Sequence, residues 1–179
     1  NARRLGVTLG EAEALLFSHG HYDHTGGAGL MLGVADRLTV YAHPACFAPR
    51  FARDREGRVR EVGGAPLLRE RIEETAALVP VTGPAALAGG LRLTGPVPRR
   101  NDFEAEGGGD FLLDREGRES DGLVDDQAAF VEGGEGTLVI LGCAHAGVIN
   151  TLDHIRDLTG GRPIDTVLGG MHLLHASPE

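Results

Sequence analysis

The sequence contains no lysine: arginine supplies all 17 basic residues, and 26 aspartates and glutamates outnumber them, giving a net charge of −9. That balance repels polyanions, so nucleic acid is excluded as an expected partner. Cysteine is almost as scarce. Cys46 and Cys143 form no C-x-x-C pair and no disulfide framework, which fits a reducing compartment, and the cytoplasm is the expected location. No stretch reaches the roughly 18 uninterrupted apolar residues of a membrane span, and no signal-peptide pattern opens the chain, so a membrane is not expected either. What remains is an ordinary globular composition, 41% hydrophobic and 24% charged over 179 residues. One domain of this size buries roughly 68–70% of its unfolded surface. The 28 glycines follow no repeat and point to many tight turns and close backbone approaches.

Asn1 to Leu5 reads as the tail of a helix stopped by Gly6. Ala14-Leu15-Leu16-Phe17-Ser18 is a buried strand leading into His19, the stretch up to Ala35 is helical despite its glycines, and Leu38 to Ala42 is a second strand. Pro44 to Gly64, rich in arginine, is expected to be an irregular exposed excursion with a charged turn. Pro66 to Leu78 has amphipathic helical spacing, and short strands are expected near Val79 to Thr82 and Leu91 to Thr94. Residues 95–126, with Pro96, Pro98 and Gly107-Gly108-Gly109, are expected to form a long surface insertion, the candidate substrate-recognition segment. Gln127 to Glu132 and Thr137 to Leu141 form a hairpin, Ala146 to Leu158 a helix stopped by Gly160-Gly161, and Ile164 to Leu168 a last strand.

The chemistry concentrates in Ser18-His19-Gly20-His21-Tyr22-Asp23-His24-Thr25-Gly26-Gly27. In extended backbone His19 and His21 point to the same side and reach one ion, while a turn at Tyr22 re-aims Asp23 and His24 towards a neighbouring site. Neutral imidazoles and a carboxylate suit zinc, iron or manganese. The competing reading is a polar turn that happens to be rich in histidine.

His-x-His-x-Asp-His followed by Thr-Gly-Gly, after a short apolar strand, resembles the signature of the metallo-β-lactamase superfamily. Gly95-Pro96-Val97-Pro98-Arg99, Asp125-Asp126-Gln127-Ala128, Leu141-Gly142-Cys143-Ala144-His145-Ala146-Gly147-Val148-Ile149-Asn150-Thr151 and Leu168-Gly169-Gly170-Met171-His172-Leu173 resemble one subgroup. Its members are described as 7,8-dihydropterin-6-yl-methyl-4-(β-D-ribofuranosyl)aminobenzene-5′-phosphate synthase-like proteins. The resemblance implies an α/β fold, the αβ/βα sandwich of two mixed sheets covered by helices, in one domain over 1–179. Superfamily members begin with further strands and an Asp-Thr-Gly-like turn, so the resemblance also implies that N-terminal strands are lacking.

Position by position, the resemblance implies that His19, His21 and His145 bind a first metal ion and Asp23, His24 and His172 a second, with zinc the leading choice and iron or manganese the alternatives. Asp23 would also orient a metal-activated water or move a proton, and His145 counts with it among the catalytic residues. Many members place a bridging aspartate where this chain has Gly142-Cys143-Ala144-His145. Cys143 therefore reads either as a thiolate ligand or as a small buried hydrophobe, and Asp126 is an outside candidate. His43, His154 and His175 lack a partner motif and are not expected to ligate, His154 being placed on a solvated helix face. Arg99 and Arg100 read as a fork for a substrate phosphate or carboxylate, or equally as a solvated pair. Three functions follow: a dinuclear metal-dependent hydrolase of a small phosphorylated or ester-like substrate, a pterin-condensing transferase, or a metal-binding but inactive fragment.

Overall fold

The computed structural model describes residues 2–64, 66–104 and 110–173. After a 3-10 turn at Ala2–Leu5, strand β1 (Ala14–Leu16) leads into a one-turn helix α1 (Tyr22–Thr25) and then α2 (Ala28–Val34). Strand β2 (Thr39–Ala42) follows. Next come an antiparallel pair, β3 (Arg50–Arg53) and β4 (Val59–Gly63), then helix α3 (Pro66–Thr75) and strand β5 (Ala77–Pro80). β1, β2 and β5 form a parallel sheet in that order, with Leu15, Val40 and Leu78 in register. Parallel neighbours require crossover helices, which α2 and α3 supply.

The second half builds a five-stranded mixed sheet. Its strands are β6 (Ala85–Ala86), β7 (Leu91–Leu93), β9 (Ala129–Glu132), β10 (Thr137–Ile140) and β11 (Ile164–Leu168), in the order β11-β10-β9-β7-β6. Between β7 and β9 the chain contributes β8 (Phe111–Leu112) to the β4-β3-β8 sheet. Helix α4 (Val148–Leu158) crosses from β10 to its parallel neighbour β11.

Alternation along the strands sorts the side chains into three cores. Leu15, Val40, Ala42 and Leu78 pack with Ala28, Met31 and Ile72 of α2 and α3. Leu16 and Tyr41 on the opposite face meet Leu91, Leu93 and Ala129 between the sheets. Phe130 and Val139 pack under Ile155, Leu152 and Val148 of α4. The layers are therefore helix, sheet, sheet, helix, the αβ/βα sandwich expected. Three strands do not cover five, and Ile140 and Leu168, on β10 and β11, stay 45% and 53% exposed.

Two expectations need correction. Pro44 to Gly64 is not an irregular exposed excursion. It forms a 3-10 turn and the β3-β4 hairpin, with Cys46, Phe47, Arg50, Phe51 and Val62 buried, and the expected charged turn at 54–58 projects outward together with Arg53, Arg60 and Glu61. The arginine signal misled because Arg50 is buried, held by Asp125 at 2.6 Å and Asp121 at 3.3 Å. Nor is 95–126 a surface segment throughout. Val97, Leu112, Asp121, Leu123, Asp125 and Asp126 are buried, and Glu104 accepts from the backbone N–H groups of Ile149 and Asn150, capping α4. Gly107 to Gly109 lie outside the described residues.

Candidate metal centre

The candidate ligands follow the C-terminal ends of β1, β10 and β11, where open α/β sheets gather their chemistry. β1 ends at Leu16, and Phe17 extends the pairing by donating its N–H to Tyr41. His19 is then fully buried. His21 takes extended backbone at the start of α1 (φ −69, ψ 147), and its carbonyl accepts from the N–H groups of His24 and Thr25. This break from strand to helix re-aims Asp23 and His24. Gly20 between the two imidazoles admits no side chain, because a Cβ there would lie 2.4 Å from the carbonyl oxygen of Cys46.

Beyond β10 the chain is held to β11 by Leu141 donating to Leu168 and Gly170 donating to Gly142. That pairing sets Cys143, His145 and His172 side by side. Three non-glycine residues among those described have a left-handed backbone: Ala144 (φ 53), His172 (φ 48) and Leu123 (φ 48). Each costs about 1–2 kcal/mol. Ala144 lies between Cys143 and His145, His172 is itself a candidate ligand, and Leu123 accepts from Asp126 N–H. Strain of this kind gathers where surrounding structure overrides local preference, as functional sites require.

Two sets of potential ligand atoms are compact enough for one ion each: His19, His21 and His145, all buried, and His19, His24 and Cys143. His19 Nε2 lies 3.0 Å from His21 Nδ1, and the His145 ring centroid is 4.7 Å from that of His19 and 4.9 Å from that of His21. In the second set Cys143 Sγ lies 3.1 Å from His24 Nε2, which is also 3.6 Å from Asp23 Oδ2. Ser18 Oγ bridges His19 Nδ1 at 3.0 Å and His24 Nδ1 at 3.2 Å. The His172 ring lies 4.5 Å from that of His145 at a 53° tilt but joins neither compact set.

The residues fit a cation. His21 Nε2 and both ring nitrogens of His145 are buried without any hydrogen-bond partner, an arrangement that costs about 1–3 kcal/mol per group unless something else satisfies it. Burial and neighbouring positive groups hold all three imidazoles neutral, His19 far below its ordinary pKa, His21 at about 4 and His145 at about 3. Neutral imidazole is the ligating form. Burial, with the charges of Asp23 and Asp126, pushes the Cys143 thiol up to about 11. A bound cation supplies the opposite field and favours thiolate. Burial likewise raises Asp126 to about 6.

Phe111 on β8 is among the residues that sequence reasoning missed. Its ring lies 4.5 Å from His21, 5.2 Å from His145 and 6.2 Å from His172, walling one side of the cluster. Its only signal was an aromatic residue within a charged, glycine-rich run. Arg99 donates to the carbonyls of His145 at 2.8 Å and Gly122 at 3.1 Å, whereas Arg100 pairs with Asp157 on α4 at 2.5 Å. Asp126 joins neither compact set; its Oδ2 accepts from Ala146 N–H at 2.7 Å. His43 Nδ1 accepts from Ala45 N–H, which caps the 3-10 turn. His154 is half-buried, 3.3 Å from the Thr94 carbonyl, rather than on a solvated face, and His175 lies outside the described residues.

A helix-sheet-sheet-helix sandwich with histidines converging at the strand ends defines a class. The family model of the metallo-β-lactamase superfamily matches residues 2–177, and the chain belongs to that superfamily. Over its whole length it is 26% identical to the 7,8-dihydropterin-6-methyl-4-(β-D-ribofuranosyl)-aminobenzene-5′-phosphate synthase of Methanocaldococcus jannaschii, covering 62% of that protein. An uncharacterised protein of the same organism is 28% identical over 91% of the chain, which covers 59% of it. The chain thus spans about three fifths of the length of these relatives. Among solved structures, Tm1679, described as a metal-dependent hydrolase of the β-lactamase superfamily, superposes with a TM-score of 0.78 at 30% identity, over 99% of this chain and 63% of that one. No helix among the described residues is long and apolar enough to cross a membrane.

Proposed function

We propose that the chain carries the metal centre of a hydrolase that uses two divalent ions, zinc before iron or manganese, to act on a small phosphorylated or ester-like substrate in the cytoplasm. The observation that carries this reading is the pair of ligand sets sharing His19, with the buried nitrogens of His21 and His145 left without any partner. His19, His21 and His145 would hold one ion, and His24 and Cys143, with His19, the other, with Asp23 beside them and His172 next to the His145 ring. When bound, the ions would supply Lewis acidity to the scissile bond and to a water nucleophile at neutral pH. Asp23, whose side chain is 61% exposed at the mouth of the cluster, orients the attacking water and accepts its proton at Oδ2. Phe111 excludes bulk water from the His21–His145 side. Arg99 steadies the His145 carbonyl and keeps donors free for a substrate anion. Hydrolysis in oxygen-labelled water is expected to place the label in the product; turnover without incorporation rejects the hydrolase.

The identity with the archaeal synthase over the whole chain favours a second reading, a pterin-condensing transferase. Incubating the metal-loaded chain with the dihydropterin diphosphate and the ribofuranosylaminobenzene phosphate then yields coupled product and pyrophosphate. Absence of both products removes that reading. A third outcome, metal binding with neither activity and activity gained in a longer chain, identifies a fragment that binds without turnover.

A further inference from the structure

Asp125, Asp126 and Gln127 are consecutive, 0%, 2% and 3% exposed, and none of them joins a compact ligand set. Two adjacent buried carboxylates are expensive unless their partners need them. Asp125 Oδ2 accepts from Gly20 N–H, the amide between His19 and His21, at 2.8 Å, while its Oδ1 accepts from Arg50 at 2.6 Å. Asp126 Oδ2 accepts from Ala146 N–H, the amide following His145, at 2.7 Å. Gln127 donates its side-chain amide to the Phe17 carbonyl at 2.8 Å and its backbone N–H to the Ser18 carbonyl at 3.0 Å. Three neighbouring residues thus grip both segments that carry the first ligand set, at peptide groups next to the histidines. The segments lie more than a hundred residues apart in sequence, and neither contains a regular element that could fix their mutual register.

We propose that Asp125-Asp126-Gln127 is a positioning strap that holds the His19-Gly20-His21 and His145-Ala146 segments in ligating register, with Arg50 as the buried counter-charge of Asp125. The strap rests on the reading of His19, His21 and His145 as metal ligands. It acts through backbone amides and touches neither substrate nor ion. Groups that orient metal ligands in this way typically alter affinity by about 10–100-fold when removed.

The test is Co2+ titration of the purified chain, followed by its visible ligand-field spectrum, in the wild type and in Asp125→Asn, Asp126→Ala, Asp126→Asn, Gln127→Ala and His19→Ala. Thermal midpoints are measured with and without Co2+. Asp125→Asn satisfies only one of its two partners, and Asp126→Ala none, so each is expected to weaken Co2+ binding by about 10–100-fold and to alter the spectrum. Asp126→Asn keeps an acceptor for Ala146 N–H and is expected to restore most of the affinity. Gln127→Ala is expected to fall between. Should Asp125→Asn fail to fold by circular dichroism, the Asp126 pair decides. Wild-type affinity and spectrum in Asp126→Ala, or an equal fall in midpoint with and without Co2+, overturns the strap. Loss in Asp126→Asn as deep as in Asp126→Ala makes Asp126 a direct ligand and also overturns it. Metal lost in His19→Ala but kept in every strap variant overturns the strap alone, whereas a wild type that takes up no Co2+ overturns the metal centre and the strap together.

Discussion

The two ligand sets share His19 and differ in almost everything else. His19, His21 and His145 are buried, while His24 and Cys143 are half-buried and Asp23 and His172 are exposed. The buried set is framed by the strap, by Phe111 and by the bridge between His21 and Gly63 at the end of β4. The open set rests on the single turn of α1 and on the loop beyond β10. The difference teaches a division of labour. A closed set can be held in geometry before any ion arrives, so its cost is met in folding, whereas an open set leaves coordination positions facing the solvent from which a substrate comes.

The largest effect is expected at the shared residue. His19→Ala removes a ligand from both sets, so metal content by elemental analysis falls from two ions to none. Turnover drops by roughly a thousandfold or more, since several kcal/mol of transition-state stabilisation leave with the ions. One ion retained at wild-type affinity would break the comparison by showing that the sets are independent. His145→Ala strikes the closed set alone and is expected to leave one ion. In the ion-free state it relieves two partnerless nitrogens, so the thermal midpoint without metal holds or rises while the gain on adding Zn2+ shrinks.

Legibility in the sequence followed the same division. The motif from His19 to His24 was readable because it is contiguous and its strand-to-turn geometry follows from side-chain alternation. The α4 layer was readable because Val148, Leu152, Ile155 and Leu158 repeat at helical spacing and Gly160 ends the run. Arg50, Phe111 and Asp125 resisted for a common reason: their environment is made by residues far along the chain. A buried arginine and a solvated one are identical in local sequence, and only the fold supplies the carboxylates that distinguish them. Cys143 is open between ligand and packing residue for that reason also; what the fold adds is the placement of its sulfur 3.1 Å from His24 Nε2.

Cys143→Ser is expected to have a smaller effect and to sharpen the contrast. Serine keeps the size but does not ionise at neutral pH, so the second ion weakens, by about tenfold or more, while the closed set keeps its own. Loading the protein with Co2+ gives the direct readout. A thiolate-to-cobalt charge-transfer band in the wild type, lost in the variant, places the sulfur on the ion. An unchanged spectrum assigns Cys143 to packing and leaves the open set to His24, Asp23 and His172.

The smallest effect is expected at Arg100, and its value lies in the contrast with Arg99. Both were candidates for gripping an anion, and they are adjacent in sequence. Arg99 reaches inward to the His145 carbonyl, while Arg100 reaches outward to Asp157, with both of its paired side chains about half exposed. An exposed pair of this kind is screened by solvent and adds little to stability. Arg100→Ala is therefore expected to leave metal content unchanged and the thermal midpoint within about 2 °C of wild type. Arg99→Ala frees the carbonyl beside a ligand and is expected to weaken the closed set measurably. If Arg100→Ala instead raises KM with kcat unchanged, the outer arginine meets the substrate after all, and the recognition surface extends from the open set onto α4.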